Sequence, residues 1–156
     1  MLRKIVATSC LTLLSLGAAM PAMAASWGPV SSTYKSQIRV KASGEFYKTS
    51  SSTGVQSKFV LTDPIADGNN VYGRADTQFY RLCAISASSP TWCTENRKNT
   101  REYARSATQN TWTIYLTVTG FRSDASQVRG IHTACAQMGF PVPDSCSGGA
   151  YVTLSY

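Results

Sequence analysis

Histidine is almost missing from this chain of 156 residues: there is one, His132, beside eight acidic residues. A hydrolase triad or a ribonuclease needs a histidine with a positioned partner. His132 lies in an alternating stretch three residues before Cys135, with no Gly-x-Ser-x-Gly or His-x-x-x-His around it, so it reads as a structural or surface residue. Zinc is disfavoured on the same ground, because no C-x-x-C pair accompanies that single histidine. Paired-carboxylate chemistry would have to use Glu45 with Glu102, or Asp63 with Asp76; the acids are scattered mostly through turns and read as solvated groups. Asp67-Gly68-Asn69-Asn70 has too few ligands for a calcium loop, and no glycine-rich phosphate loop occurs. Amphipathic helical periodicity is absent as well. With no catalytic motif, the chain is expected to be non-enzymatic and to need no cofactor or metal.

What is present begins with an export signal. Arg3 and Lys4 form a charged start, Ile5 to Gly17 an apolar run, and Ala22-Met23-Ala24 an A-x-A cleavage site, so residues 1–24 read as a signal peptide. The apolar run is too short for a transmembrane helix. Cys10 leaves with the signal, and four of the five cysteines remain. An even count in an exported chain predicts two disulfides. Three pairings exist in principle; the local pairs Cys83–Cys93 and Cys135–Cys146 are favoured, because each closes a short loop containing Pro and Ser. Losing Arg3 and Lys4 leaves thirteen basic residues against eight acidic ones, a formal charge of +5. Such a surface suits acidic cell-wall polymers, anionic lipid or nucleic acid, or simply a cationic secreted domain.

The mature chain, Ala25–Tyr156, has the length of one domain. Ile38–Phe46 alternates apolar and polar residues, and Val55–Thr62 places Val55, Phe59 and Leu61 on one side. The central stretch runs from Val71 to Cys93. In it Val71, Ala75 and Phe79 share one face of a long strand, while Arg74, Asp76 and Gln78 share the other. Thr111–Phe121 puts Trp112, Ile114, Leu116 and Val118 inward; Val128–Ala136 and Ala150–Tyr156 add further strands. Ser50–Gly54 and Met138–Gly149 read as loops, and Thr94–Ser106 as a solvated loop or extended connector. About seven short strands predict an all-β, antiparallel sandwich, immunoglobulin-like in layout and stapled by two disulfides. A Greek-key barrel is the alternative.

Three stretches are candidates for function. Arg97, Lys98, Arg101 and Arg105 with Tyr103 resemble a nucleic-acid patch, but Glu95 and Glu102 dilute it, and a charged connector fits better. The loop bracketed by Cys83 and Cys93 has the small residues of a protease-inhibitor loop. Ala25–Gln37 is polar and Ser-rich, and reads as an extended N-terminal arm outside the domain of residues 38–156. Trp27 is its obvious anchor, either in a partner groove or against its own domain.

WGPV after the cleavage site, VKASGEFY, DPIADGNNVYGRADTQFY and the TWC return resemble small secreted actinobacterial proteins, in particular the adaptor subunits of umbrella toxin particles. The resemblance extends over most of Ala25–Tyr156. It implies a secreted adaptor of an antibacterial toxin complex, linking a large toxin-bearing subunit to a lectin-bearing one. Its N-terminal segment would enter a cleft of the latter, which assigns partner binding to Trp27, Gly28, Pro29 and Val30, with Tyr34 completing the arm. No nucleic acid and no stable membrane insertion are expected. A secreted protease inhibitor and a small cationic antibacterial toxin are the other readings.

Overall fold

Alternation along the chain is what builds the molecule. The computed structural model describes residues 24–49, 54–84, 86–120 and 122–155, and every regular element among them is a strand. In chain order these are β1 (Ala24–Tyr34), β2 (Gln37–Lys48), β3 (Val55–Thr62), β4 (Asn70–Arg81), β5 (Thr91–Asn99), β6 (Tyr103–Ala104), β7 (Thr111–Thr119), β8 (Gln127–Ala136), β9 (Ser145–Cys146) and β10 (Ala150–Ser155). They form two antiparallel sheets, ordered β1-β2-β3-β7 and β10-β8-β4-β5, with β6 added to β4 and β9 to β8. The inward residues of both sheets meet in one core, which includes Val40, Phe46, Phe59 and Leu61 from the first, and Val71, Phe79, Val128 and Leu154 from the second. This is the expected sandwich. The expectations for residues 1–23 of the export signal, for residues 50–53, Ile85, Phe121 and Tyr156, and for the side chains of Val118 and Thr119 fall outside the described residues.

The N-terminal segment is extended, but it is part of the sheet. β1 pairs with β2 from Ala24↔Tyr47 to Tyr34↔Gln37, around a two-residue turn in which Lys35 and Ser36 have φ of 48° and 63°. Two positive φ values give the tight hairpin whose twist suits adjoining strands. The register shifts between Trp27 and Val30, so Gly28 and Pro29 bulge outward while Trp27 turns in. Trp27 is only 4% exposed. The idea of Trp27 as the free anchor of a separate arm is therefore corrected. Burying an indole between two sheets removes far more apolar surface from water than a solvated arm would.

The stretch 94–106 also differs from expectation, since β5 and β6 occupy most of it. β5 is an edge strand with no layer covering its outward side, so it shows little apolar alternation. Charge pairing takes its place: Arg97 donates to both carboxylate oxygens of Asp76, at 2.7 and 2.9 Å.

Both local disulfides are formed, Cys83–Cys93 with Cα atoms 5.4 Å apart and Cys135–Cys146 at 4.1 Å. Such bridges belong to an oxidising, extracellular-type environment. Among the described residues no helix is long and apolar enough to cross a membrane. Replacing Cys135 and Cys146 together by alanine should lower stability by about 2–3 kcal/mol in urea melts. An unchanged midpoint would show that the backbone ladder alone holds that loop.

Candidate functional site

The feature that stands out lies where β8 leaves its sheet. The loop 137–144 starts in register, with Gln137 N–H donating to the Asn70 carbonyl at 2.8 Å, and Met138 packs against the core. Gly139 then turns with φ of 73°, and Val142 N–H returns to the Gly139 carbonyl at 2.9 Å. Phe140 and Pro141 occupy the centre of this turn, joined by a cis peptide bond, as a turn with proline at its third position requires. The result is an apolar tip: Phe140 is fully exposed, and Pro141, Val142 and Pro143 follow it into solvent.

The return path is held at several points. The Tyr72 hydroxyl donates to Asp144 Oδ2 at 2.8 Å. Burial, reinforced by that carboxylate, pushes the phenol up to about 12, so it remains a neutral donor. β9 then pairs Cys146 with Cys135, where the disulfide closes the loop, and Ser147 N–H bonds the Ala134 carbonyl at 2.8 Å. Ser145 accepts a hydrogen bond from Ser32 on β1. Between the loop and the turn at Gly68–Asn70 lies an open cleft of about 430 Å³, walled by Phe140 and Val142 and floored by Asn70 and Gln137. Gln137 and Asn70 are tied to Glu102 and to each other.

The residues singled out from sequence are placed differently. His132 is wholly buried between the sheets, stacked on Trp27 at 4.4 Å with the rings 7° apart, and its Nε2 lies 2.9 Å from Ser57 Oγ. The carboxylates first weighed as pairs are engaged apart. Glu45 meets Lys58, Glu102 meets Asn70 and Gln137, and Asp76 meets Arg97, while Asp63 caps backbone N–H groups of Ile65 and Arg105. Among the described residues no three His, Cys, Asp or Glu side chains gather as metal ligands. Nor do the four basic residues make one patch. Arg97 is bound to Asp76, Lys98 reaches across to the Thr117 carbonyl, and Arg105 bonds the Pro64 carbonyl.

Of the five residues assigned to the arm, Trp27 is in the core, Val30 packs against it, and Tyr34 is half-buried under Lys35 and Arg39. Only Gly28 and Pro29 are exposed. The 83–93 loop is folded by a turn, Ala87 N–H to the Ala84 carbonyl at 3.0 Å, rather than extended at its tip. Sequence reasoning passed over Phe140. Its signal was there: Met138 to Pro143 contains no polar side chain, although it spans a Pro/Gly loop where solvated residues are the rule. The chain matches no protein-family model, no curated protein and no solved structure.

Proposed function

We propose that this is a secreted, non-enzymatic adaptor that joins other extracellular proteins, and that its principal contact is the apolar tip of the 135–146 loop. The observation that carries the reading is Phe140, a large ring wholly in solvent on a loop fixed by a disulfide, a part-buried tyrosine–carboxylate bond and backbone pairing. An aromatic anchor already held in place loses little freedom when it enters a pocket. The partner is a protein with an apolar pocket rather than an anionic membrane, because Asp144 and Glu102 flank the loop. The sealed position of the single histidine supports a binding role over hydrolysis. The resemblance to umbrella-toxin adaptors supports the same role, in an antibacterial complex, but through the N-terminal segment. Here that segment is a paired strand with its tryptophan inside.

Immobilised protein should retain a partner from the medium of the cells that secrete it. Phe140→Asp should weaken retention by about 2 kcal/mol or more, with the melting temperature unchanged. Tyr115→Asp, at a second exposed aromatic, on β7, should retain the partner normally. Full retention by the Phe140 variant would remove the loop from the interface.

A further inference from the structure

The outward side of the β10-β8-β4-β5 sheet has a different character from the loop tip. Val128, His132, Val152, Leu154, Ala75 and Phe79 point into the core, so their neighbours along each strand point out. Among those neighbours, Arg129 is held in an unusual way. Its guanidinium lies 4.2 Å from the Trp92 ring centroid and 5.3 Å from that of Tyr151, on strands to either side of it in the sheet. Its Nε and Nη2 both donate to Gln78 Oε1, the former at 3.0 Å. Tyr80 packs against Trp92 with ring centroids 5.3 Å apart.

This arrangement fixes a cation without neutralising it. Gln78 is uncharged, and the nearby carboxylate on this face, Asp76, is already gripped by Arg97. Glu95 on β5 turns instead to Arg81 and Arg122. Arg129 therefore keeps its charge and its Nη1 donors, in a fork that suits a carboxylate. Its side-chain freedom has been given up in folding rather than at the moment of binding. Arg74 occupies a second outward position, four residues before Gln78 on β4, about 13 Å away along the strands. The Arg74 Nε is itself buried and the residue acts on Tyr72, so Arg129 is the cation that this face presents.

We infer that this face binds an acidic polysaccharide, with Arg129 receiving a uronate carboxylate. Around Arg129 it offers the Thr153 hydroxyl, the proton of the Thr94 hydroxyl, whose oxygen accepts from Gln78 Nε2 at 3.0 Å, and Tyr151, which is 64% exposed. The site is separate from the loop tip proposed as the protein contact.

The test is calorimetric titration of the full secreted chain with polygalacturonate, beside uncharged dextran and polyglutamate, at low and high salt. Polygalacturonate should bind, with affinity falling as salt rises, and dextran should not. Arg129→Gln should weaken binding tenfold or more. Arg129→Lys, which keeps the charge but loses the fork, should also weaken it. Tyr151→Ala, at an exposed ring outside the core, serves as a second variant should Arg129→Gln disturb folding, and is expected to weaken binding severalfold. Phe140→Asp should bind the polymer normally, which separates this site from the adaptor reading. Failure of polygalacturonate to bind, or unchanged affinity in both Arg129→Gln and Tyr151→Ala, would overturn the site. Equal binding of polyglutamate would overturn the polysaccharide assignment.

Discussion

Replacing Trp27 by alanine is expected to cost about 3–5 kcal/mol, the range for deleting a large buried aromatic ring, and to lower the melting temperature by about 10–20 °C. The ring lies between both sheets, stacked face to face on His132 and set edge-on to Phe59 at 4.7 Å. Gly44 on β2 leaves the space it fills: a Cβ there would come within 2.9 Å of the Trp27 ring. Three elements would thus face the vacated volume, and none can close it without breaking a strand register. The indole Nε1 has no hydrogen-bond partner, so packing rather than polarity is what is lost. Trp27→Phe should accordingly recover a large part of the stability. Removing residues 25–34 should be worse still, since it strips β1 from β2 and uncovers the core. Chemical denaturation of the purified variants measures this. A Trp27→Ala protein as stable as the wild type would put the ring outside the core and restore the N-terminal segment as a free binding arm.

Why that segment was illegible is visible in its register. Period-two alternation marks a strand only while the phase is kept. The inward residues of β1 include Trp27, Val30 and Ser32; Trp27 and Val30 are three apart because Gly28 and Pro29 bulge between them. Ser32 is polar yet buried, paired with Ser145 across the sandwich edge at 2.7 Å. A strand with one fully buried large apolar residue, a phase slip and a satisfied buried serine looks by composition like a solvated arm. The same reasoning explains what could be read. In β3 and β4 the inward positions fall on strict alternate residues, and their apolar members, Val55, Phe59 and Leu61, then Val71, Ala75 and Phe79, are all buried. The disulfides were legible because each closes a short loop beside strand ends that already pair.

The two surface sites were hidden for opposite reasons. Phe140 sits in an apolar run whose composition resembles core, although the Pro/Gly loop around it pointed to solvent, and the turn at Gly139–Val142 shows that it faces out. The Arg129 site is assembled from Trp92, Gln78 and Tyr151, on three other strands, and no spacing along the chain links them. Their meeting depends on register: Gln78↔Arg129 across β4 and β8, with Tyr151 two residue pairs along on β10. Cross-strand neighbours of this kind stabilise a sheet as well as furnish a site, so Arg129 variants should be read by binding and stability together.

The buried histidine makes the fold sensitive to acid. Stability is expected to fall by about 3 kcal/mol as pH drops from 6.5 to 4, through this group alone. His132 is 0% exposed, and burial lowers its pKa from 6.5 to about 4, with the Ala150 backbone opposing only part of that. Its Nδ1 has no hydrogen bond of ordinary geometry, and its Nε2 contacts only a neutral serine hydroxyl, so beyond that partial offset little compensates an imidazolium charge. In the unfolded chain the ring takes up its proton near pH 6.5, whereas the folded protein resists until near 4. Between those values the unfolded state binds more protons, and stability decreases as pH falls; below 4 both states are protonated and the slope from this group ends. Asp63 works in the opposite sense. Burial raises its carboxyl above 3.8 against the pull of two backbone N–H groups, so the folded state binds the extra proton there and gains at acid pH. Net losses should therefore concentrate in the upper part of the window. Because the chain has one histidine, its ring proton resonance needs no assignment, and a midpoint near 4 is expected in the folded protein. Urea melts between pH 7 and 4.5 should show the matching slope, flattened in His132→Gln. A resonance titrating near 6.5 in the folded state would mean that the ring reaches solvent and that the sealed core described here is open.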